Sequence, residues 1–210
     1  MRIDPKEQSY RDIYKLMVSS IVPRPIAFIS TISQDEIANL APFSYFTACC
    51  AAPPCVLFST STRPTGGGIK DTLANVIQTG EFVVNIVSEE MAEEMSIAAA
   101  DFPPDVDEFK ASGLTPLESE LVKPPRIAES HVQMECKLFK LIPLSEGPGG
   151  ATVVIGEVVL FHVTEHVLEN PSREFFNVDP ERLDAIGRIG GQTYVRTHDQ
   201  FQLERPTFKR

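Results

Sequence analysis

The sequence predicts a mainly β protein, an antiparallel β-barrel with short helical insertions built from a chain of 210 residues. Three observations lead to this fold class. Short runs of β-branched and aromatic residues follow one another with brief polar turns between them. Two long runs in the second half alternate apolar and polar residues with a period of two. Only two segments have the wider apolar spacing of a helix, so strands outnumber helices.

Three extended segments are expected in the first third of the chain. Residues 26–32 (IAFISTI) form the first, and the polar residues 33–36 turn the chain. Residues 37–47 form a second extended run, which is interrupted at Pro42. Because proline has no N–H to donate to a neighbouring strand, we expect Pro42 at a sheet edge or a bulge. Residues 55–60 (CVLFST) form the third strand.

Two helices, with one strand between them, are expected next. Residues 70–80 predict a short helix, with Asp71 as its N-cap and Gly80 as its C-terminal stop. Residues 81–87 (EFVVNIV) have the continuous apolar character of a buried strand. Residues 88–100 predict a second helix, whose acidic first turn suits the positive end of the helix dipole.

The second half of the chain adds a long β-hairpin. Residues 131–144 alternate apolar and polar side chains, and residues 151–168 continue after the turn SEGPGG. Gly156 falls inside the second of these strands, which predicts a bulge or a barrel corner there.

The charge balance excludes several classes of partner. The chain has 19 Lys and Arg against 29 Asp and Glu, a net charge of -10. Nucleic acids and anionic membranes attract clustered cations, so neither is expected as a partner. No apolar run approaches the roughly 18–20 residues of a spanning helix, and the charged N-terminus lacks the apolar region of a signal peptide. We therefore expect a cytoplasmic protein.

The cysteines and histidines do not predict a metal site. The four cysteines have no metal-ligand spacing and are expected to be small core residues in a reducing compartment. A disulfide between the adjacent Cys49 and Cys50 would need a strained turn and is not expected. His162 and His166 lie four residues apart on a predicted strand, without a third ligand nearby.

The loop around residues 66–68 is rich in glycine but does not match a known nucleotide fingerprint. The residues that flank Lys70 are not the glycine and hydroxyl residue of a nucleoside-triphosphate loop, and GxGxxG is absent. Hydroxyl residues at 59–62, the ammonium of Lys70 and the N–H groups of a helix start would together suit one phosphate. The alternative is a solvated loop in which the glycines provide only flexibility.

Five sequence blocks resemble a known family. They are RPIAFIST at 24–31, NLAPFSYF at 39–46, PP at 53–54, KDTLANVIQTGEFVVNIV at 70–87 and IGRIGGQTYVR at 186–196. In this order the blocks resemble the flavin reductase-like, FMN-binding split-barrel proteins. The resemblance implies one such domain over residues 1–210, with a core at about residues 20–196 and a C-terminal tail at 197–210.

This resemblance implies a six-stranded antiparallel split barrel that forms a homodimer, with FMN bound near the subunit interface. The residues that it places at the flavin ring are Ser30, Thr31, Asn39, Ala41, Pro42, Ser44, Tyr45, Gly190, Gly191 and Tyr194. The residues that it places at the phosphate are Arg24, Ser59, Thr60, Ser61, Lys70 and Thr72. Asp71 is expected to cap the helix instead, because its carboxylate would repel a phosphate.

The family implies an FMN-dependent oxidoreductase that takes electrons from NAD(P)H and passes them to a small molecule or a protein. Because the cofactor supplies the reactivity, no catalytic side chain is assigned. One alternative is an FMN-binding electron carrier or store without nicotinamide activity, for which the acidic segment 89–108 would be a docking face rather than a solvated surface. Another is a barrel that binds pyridoxal phosphate or haem.

Overall fold

A computed structural model describes residues 1–63, 68–170 and 176–208. Its strands are β1 (Arg24–Pro25), β2 (Ala27–Ile32), β3 (Ala38–Phe43), β4 (Phe46–Ala51), β5 (Pro54–Ser61), β6 (Glu81–Ile86), β7 (Pro116–Leu117), β8 (Arg126–Ile127), β9 (Val132–Pro143), β10 (Ala151–Val163), β11 (Ile186–Arg188) and β12 (Tyr194–Arg196). Its α-helices are α1 (Tyr10–Ser20), α2 (Asp71–Thr79), α3 (Ala92–Ala98), α4 (Glu108–Ser112) and α5 (Pro180–Leu183). Short 3-10 turns occupy Pro5–Glu7, Glu89–Met91 and Glu165–Val167.

Seven strands form the main sheet, in the order β3-β2-β6-β9-β10-β5-β4, and every neighbouring pair is antiparallel. Strands β3 and β4 lie at opposite ends of this order, yet only Ser44 and Tyr45 separate them in the chain. The sheet must therefore curl until its two edges approach each other. The N–H of Ser59 on β5 donates to the carbonyl of Tyr45 at 2.9 Å, which continues the pairing of β4 with β5 back to the break after β3. Two small sheets, β1-β11-β12 and β7-β8, accompany the barrel.

The predicted mainly β, antiparallel fold is confirmed, but the main sheet has seven strands rather than six. The extended run predicted over residues 37–47 is two strands, and it breaks at Ser44 and Tyr45 rather than at Pro42. Pro42 lies inside β3, opposite Phe28 on β2. Because β3 is an edge strand, the missing N–H of this proline breaks no ladder, and the predicted edge position is confirmed.

The predicted helices differ from the structure in their details. Helix α2 begins at Asp71, so Lys70 is its N-cap and the prediction that Asp71 is the cap is wrong. Gly80 ends this helix with a φ of 70°, the left-handed conformation that favours glycine. The segment predicted as one helix over residues 88–100 is a 3-10 turn followed by the shorter helix α3.

The long hairpin is confirmed as β9 and β10, and its register shifts beside Gly156 as predicted. A side chain at this glycine would overlap the ring of Phe82, so the close approach itself requires glycine.

The described residues form two apolar clusters. Inside the barrel, the ring of Phe58 lies 5.1 Å from that of Phe43 and 5.3 Å from that of Phe82. Outside it, Phe28 and Leu40 pack with the side chains of helices α3 and α4. Among the described residues, no helix has both the length and the apolar character that crossing a membrane requires.

Candidate functional site

A buried polar network surrounds Asn39 on β3. The hydroxyls of Thr31 on β2 and Thr72 on α2 donate to Asn39 Oδ1, at 3.2 and 2.8 Å. Asn75, one turn further along α2, donates to the Thr31 hydroxyl at 3.0 Å. Asn39 Nδ2 donates to Glu108 Oε1 at 2.8 Å. The structure thus brings together three of the predicted ring and phosphate residues, but it links them to one another.

Glu108 on helix α4 is the member of this network that sequence reasoning missed. Its side chain is buried, with the residue 6% exposed, and its second oxygen accepts the N–H of Leu40 at 3.1 Å. Burial raises the pKa of Glu108, with Asp71 adding to the rise, while the hydrogen bonds from Leu40 and Asn39 oppose it. Glu108 ends the acidic segment 89–108, and the apolar Phe109 next to it is the sequence feature that indicates burial here.

Strand β3 has few free donors on its open edge. The N–H of Leu40 points away from β2 and is bonded to Glu108, and Pro42, two residues on, has none. The Glu108 side chain and the proline together leave this edge few N–H groups with which to pair with another chain. Ala41 is half-buried. The backbone groups that this strand would offer to a flavin ring are therefore mainly carbonyls.

Ser30 faces the opposite side of β2 from Thr31, because side chains alternate along a strand. Its hydroxyl donates to the carbonyl of Pro125 at 2.5 Å. Both residues are fully buried, so neither side chain reaches the surface.

A cleft of about 290 Å³ lies beside the Asn39 network. Asp35 and Asp71 line it together with the amides of Asn39, Asn75 and Gln78, and its described lining holds no Lys or Arg. A phosphate would meet carboxylates there, so the cleft does not suit an anion.

Arg24 joins three chain segments beside the break between β3 and β4. Its guanidinium donates to the carbonyls of Val18, of Ile21 at 2.9 Å and of Ile189 at 2.8 Å, and also to the Ser44 hydroxyl at 3.4 Å. The end of helix α1 and the turn after β11 are thereby fastened to the β3–β4 break. Arg24 is buried and occupied by carbonyls, which argues against a direct contact with a phosphate.

The turn at Gly190 and Gly191 and the side chain of Tyr45 lie beside this same break between β3 and β4. Gly190 follows the carbonyl that Arg24 binds, and Gly191 has a φ of 56°. Arg188 covers the ring of Tyr194, 4.4 Å from its centroid, and donates to its hydroxyl. Burial raises the pKa of the Tyr45 phenol; Tyr14 of helix α1 adds to the rise and Arg24 opposes it.

The end of β5 differs from the Asn39 network. Thr60 is 1% exposed, and its hydroxyl is buried without a hydrogen-bond partner among the described residues. Ser59 and Ser61 flank it on the opposite face of the strand, half-buried and exposed. The Lys70 ammonium lies 5.7 Å from the ring centroid of Phe43, and no described carboxylate pairs with it. An unsatisfied hydroxyl and an unpaired cation are the groups that a phosphate would satisfy.

Arg63, the other cation of this loop, is already neutralised. It pairs with Asp71 at 2.6 Å and with Asp101 at 3.0 Å. Asp71 is therefore an ion-pair partner. Two glycines of the predicted loop, Gly66 and Gly67, lie outside the described residues.

Most carboxylates of the acidic segment have partners within the chain. Glu89 is bonded to Arg196, Glu90 lies 3.1 Å from His131, and Asp101 binds Arg63. Asp107 pairs with Lys110 at 3.1 Å, and Glu108 is buried. This arrangement favours a structural role for the segment over an acidic docking face.

His162 and His166, which lie four residues apart in the sequence, contact different residues in the structure. His162 contacts the buried Glu135 at 2.7 Å, whereas the ring of His166 lies 4.5 Å from that of His131. Glu89, Asp184 and His198 do approach one another, but the guanidinium of Arg196 already binds Glu89 there.

The comparisons with known proteins agree with these observations. Residues 18–179 match the flavin reductase like domain family. An uncharacterised protein of Aquifex aeolicus is 44% identical over 95% of this chain and 97% of its own length.

Two solved structures have the same fold. Nitrilotriacetate monooxygenase component B from Bacillus cereus superposes with a TM-score of 0.90 and is 38% identical, over 97% of this chain and 98% of that one. A protein with a split barrel domain from Shewanella frigidimarina reaches 0.81 at 23% identity, over 98% of this chain and 100% of that one. The matched span, the identity and the split-barrel topology together show that the chain belongs to the flavin reductase like family of flavoprotein oxidoreductases.

Proposed function

We propose that the protein binds FMN and uses it to pass electrons from NAD(P)H to an acceptor. The observations that carry this proposal are two groups without a described partner, the buried Thr60 hydroxyl near the end of β5 and the Lys70 ammonium at the start of α2. A buried hydroxyl without a partner is costly unless a ligand satisfies it.

The phosphate would bind Thr60 and Lys70. Ser59 and Ser61 lie on the same strand but on its opposite face, so they would not contact the phosphate that Thr60 binds. A bond from the ammonium to a phosphate oxygen is charge-assisted and stronger than a neutral one. Thr72 belongs in a different role, because its hydroxyl proton is already donated to Asn39. We assign Thr31, Asn39 and Thr72 to positioning β2, β3 and α2 around the cofactor.

The ring would lie at the β3–β4 break. Ser44 and Tyr45 stand there, next to the Gly190–Gly191 turn that Arg24 holds in place. Pro42 would offer its carbonyl, Ala41 and Pro42 would offer apolar surface, and Tyr194 would border the ring. Arg24 would position these elements without touching the phosphate.

Bound flavin supplies hydride acceptance and electron transfer, so the chain's own residues need only bind, orient and shield it.

One phosphate fits this site better than two, which favours FMN over FAD. Lys70 is the unpaired cation among the described residues here, and Arg63 is occupied by two carboxylates. A second phosphate placed near Arg63 would also face Asp71 and Asp101.

A homodimer would cover helix α1. Tyr14 is 58% exposed and Ile21, just past the helix end, is 57% exposed, although both lie beside the proposed ring site. Helix α1 buries only Val18 within its own chain. Light scattering from the full chain measures its mass in solution and so whether it is a dimer.

The proposal is tested by titrating the full chain with FMN, riboflavin and FAD while following flavin fluorescence. FMN should bind most tightly, and riboflavin, which lacks the phosphate, should lose about 1–3 kcal/mol of binding free energy. Equal affinity for FMN and riboflavin would place the phosphate away from β5. NAD(P)H oxidation with FMN and oxygen or free flavin as acceptor then measures the activity. Tight FMN binding without such turnover would favour the electron carrier instead.

A further inference from the structure

Three cysteines lie together on the hairpin of β4 and β5. The prediction that all four are core residues is wrong for Cys49 and Cys50. Cys49 and Cys50 are exposed, because β4 is an edge strand whose residues 47–51 are all exposed. Cys55 on β5 is 5% exposed. All three are free thiols.

Cys50 and Cys55 are directly opposite each other in the antiparallel ladder. Opposite residues of such a ladder have Cα atoms about 4.5 or 5.5 Å apart, depending on the hydrogen-bonding position. Both values fall within the range of about 4.4–6.8 Å that disulfides span. No large backbone movement is therefore needed to join these two sulfurs.

Irregular pairing also allows β4 and β5 to move closer together at this position. The register shifts between Ala48 and Cys50, so Cys49 is the extra residue of a bulge. On the other side, Ala51 is opposite Pro54, which has no N–H to donate. Irregular pairing on both sides leaves the Cys50–Cys55 position less constrained than the middle of a regular ladder.

We propose that Cys50 and Cys55 form a reversible disulfide by exchange with small-molecule disulfides. The thiolate of Cys50 attacks one sulfur of the small disulfide and releases one thiol. The thiolate of Cys55 then attacks the Cys50 sulfur of the mixed disulfide and releases the second thiol. The two cysteines lose two electrons and two protons, and the small disulfide is reduced to two thiols.

The environments of the two sulfurs support this order. Cys50 is exposed and can meet a soluble reagent first. Burial raises the pKa of the Cys55 thiol, and the neighbouring Cys49, Cys50 and Glu157 raise it further. Cys55 is therefore the poorer first nucleophile, and it acts on a mixed disulfide already held opposite it.

Such a bond is expected to be easily reduced. Opposite Cβ atoms in a ladder lie about 4.5–5.5 Å apart, whereas a relaxed disulfide has a mean of about 3.8 Å. Closing the bond pulls the strands together, and strained, accessible disulfides are the labile ones. The bond would reversibly fasten edge strand β4 to β5, the strand that continues to Thr60.

The test treats the reduced full chain with oxidised glutathione and then labels the remaining thiols after unfolding. We expect wild type to lose two hydrogens and to keep two labelled cysteines, Cys49 and Cys136. Cys50→Ser, a change at an exposed site, should abolish the intrachain bond and leave Cys55 labelled. Cys49→Ser is the matched control and should oxidise as wild type does. Dithiothreitol should restore all four thiols.

Several results would overturn the proposal. A bond that survives in Cys50→Ser but is lost in Cys49→Ser would assign it to Cys49. A disulfide between two chains on a non-reducing gel would make Cys50 an intermolecular site. A stable glutathione adduct on Cys50 with Cys55 still free would show that the second exchange does not occur.

Discussion

Two buried threonines, Thr72 and Thr60, look alike in sequence and differ in the structure. Each is 1% exposed, and the family resemblance places both at the phosphate. The hydroxyl of Thr72 donates to Asn39 at 2.8 Å, whereas that of Thr60 has no partner among the described residues. The first hydroxyl joins α2 to β3, and we propose that the second binds the phosphate.

The charged residue of the Asn39 network and that of the proposed phosphate site differ in the same way. Glu108 accepts two hydrogen bonds inside the Asn39 network, and Lys70 has no ion-pair partner in the described part of the chain. A region that satisfies all its polar groups is built for stability. Because a hydroxyl and a cation are left unsatisfied in the second, we propose it as the binding region.

The largest expected effect is on stability, from Glu108→Ala. The change leaves Asn39 Nδ2 and the Leu40 N–H buried without an acceptor, at a cost of about 2–3 kcal/mol in the free energy of unfolding. Urea unfolding at neutral pH measures it. Glu93→Ala, at an exposed site of the same acidic segment, should change stability by less than about 0.5 kcal/mol. If both variants unfold alike, the Asn39 network does not stabilise the fold.

The next effect is on binding, from Lys70→Ala. FMN affinity should fall by about 1–3 kcal/mol, because a charge-assisted bond to the phosphate is lost. Riboflavin affinity should stay unchanged, because riboflavin has no phosphate. Stability should fall by no more than about 1 kcal/mol, since the contact of this ammonium with the Phe43 ring is lost. Lys137→Ala, an exposed lysine on β9, is the control. An equal loss for riboflavin would mean that Lys70 acts on the ring or on the fold rather than on the phosphate.

The smallest effect compares one substitution at two sites. Thr72→Val removes a donor from Asn39 and should cost about 1–2 kcal/mol of stability, whereas Thr60→Val removes an unsatisfied hydroxyl and should cost nothing or stabilise slightly. For FMN affinity the order should reverse, with Thr60→Val the weaker binder. Thermal unfolding and FMN titration of the two variants decide this. Equal stability losses would erase the distinction between the two regions.

Local rules predicted the elements well and the polar partners poorly. The period of two in residues 131–144 and the position of Gly156 follow from backbone geometry, so β9, β10 and their bulge could be read from the sequence. The break at Ser44 and Tyr45 could not, because it results from closing the sheet upon itself. Likewise, Glu108 meets Asn39 across 69 positions of chain, and no local pattern links such residues.

By itself, the sequence determined the β-rich architecture, the edge position of Pro42 and the family, and it supplied the residues proposed for the site. Only the tertiary structure decided which of those residues remain available. Backbone periodicity is a property of neighbouring residues, and it survives without knowledge of the fold. Whether a hydroxyl, a carboxylate or a thiol has a partner depends on residues that the fold brings together. For this reason Thr72, Arg24 and Asp71 proved to be internally bonded, Thr60 and Lys70 stayed open, and Cys50 came to stand opposite Cys55.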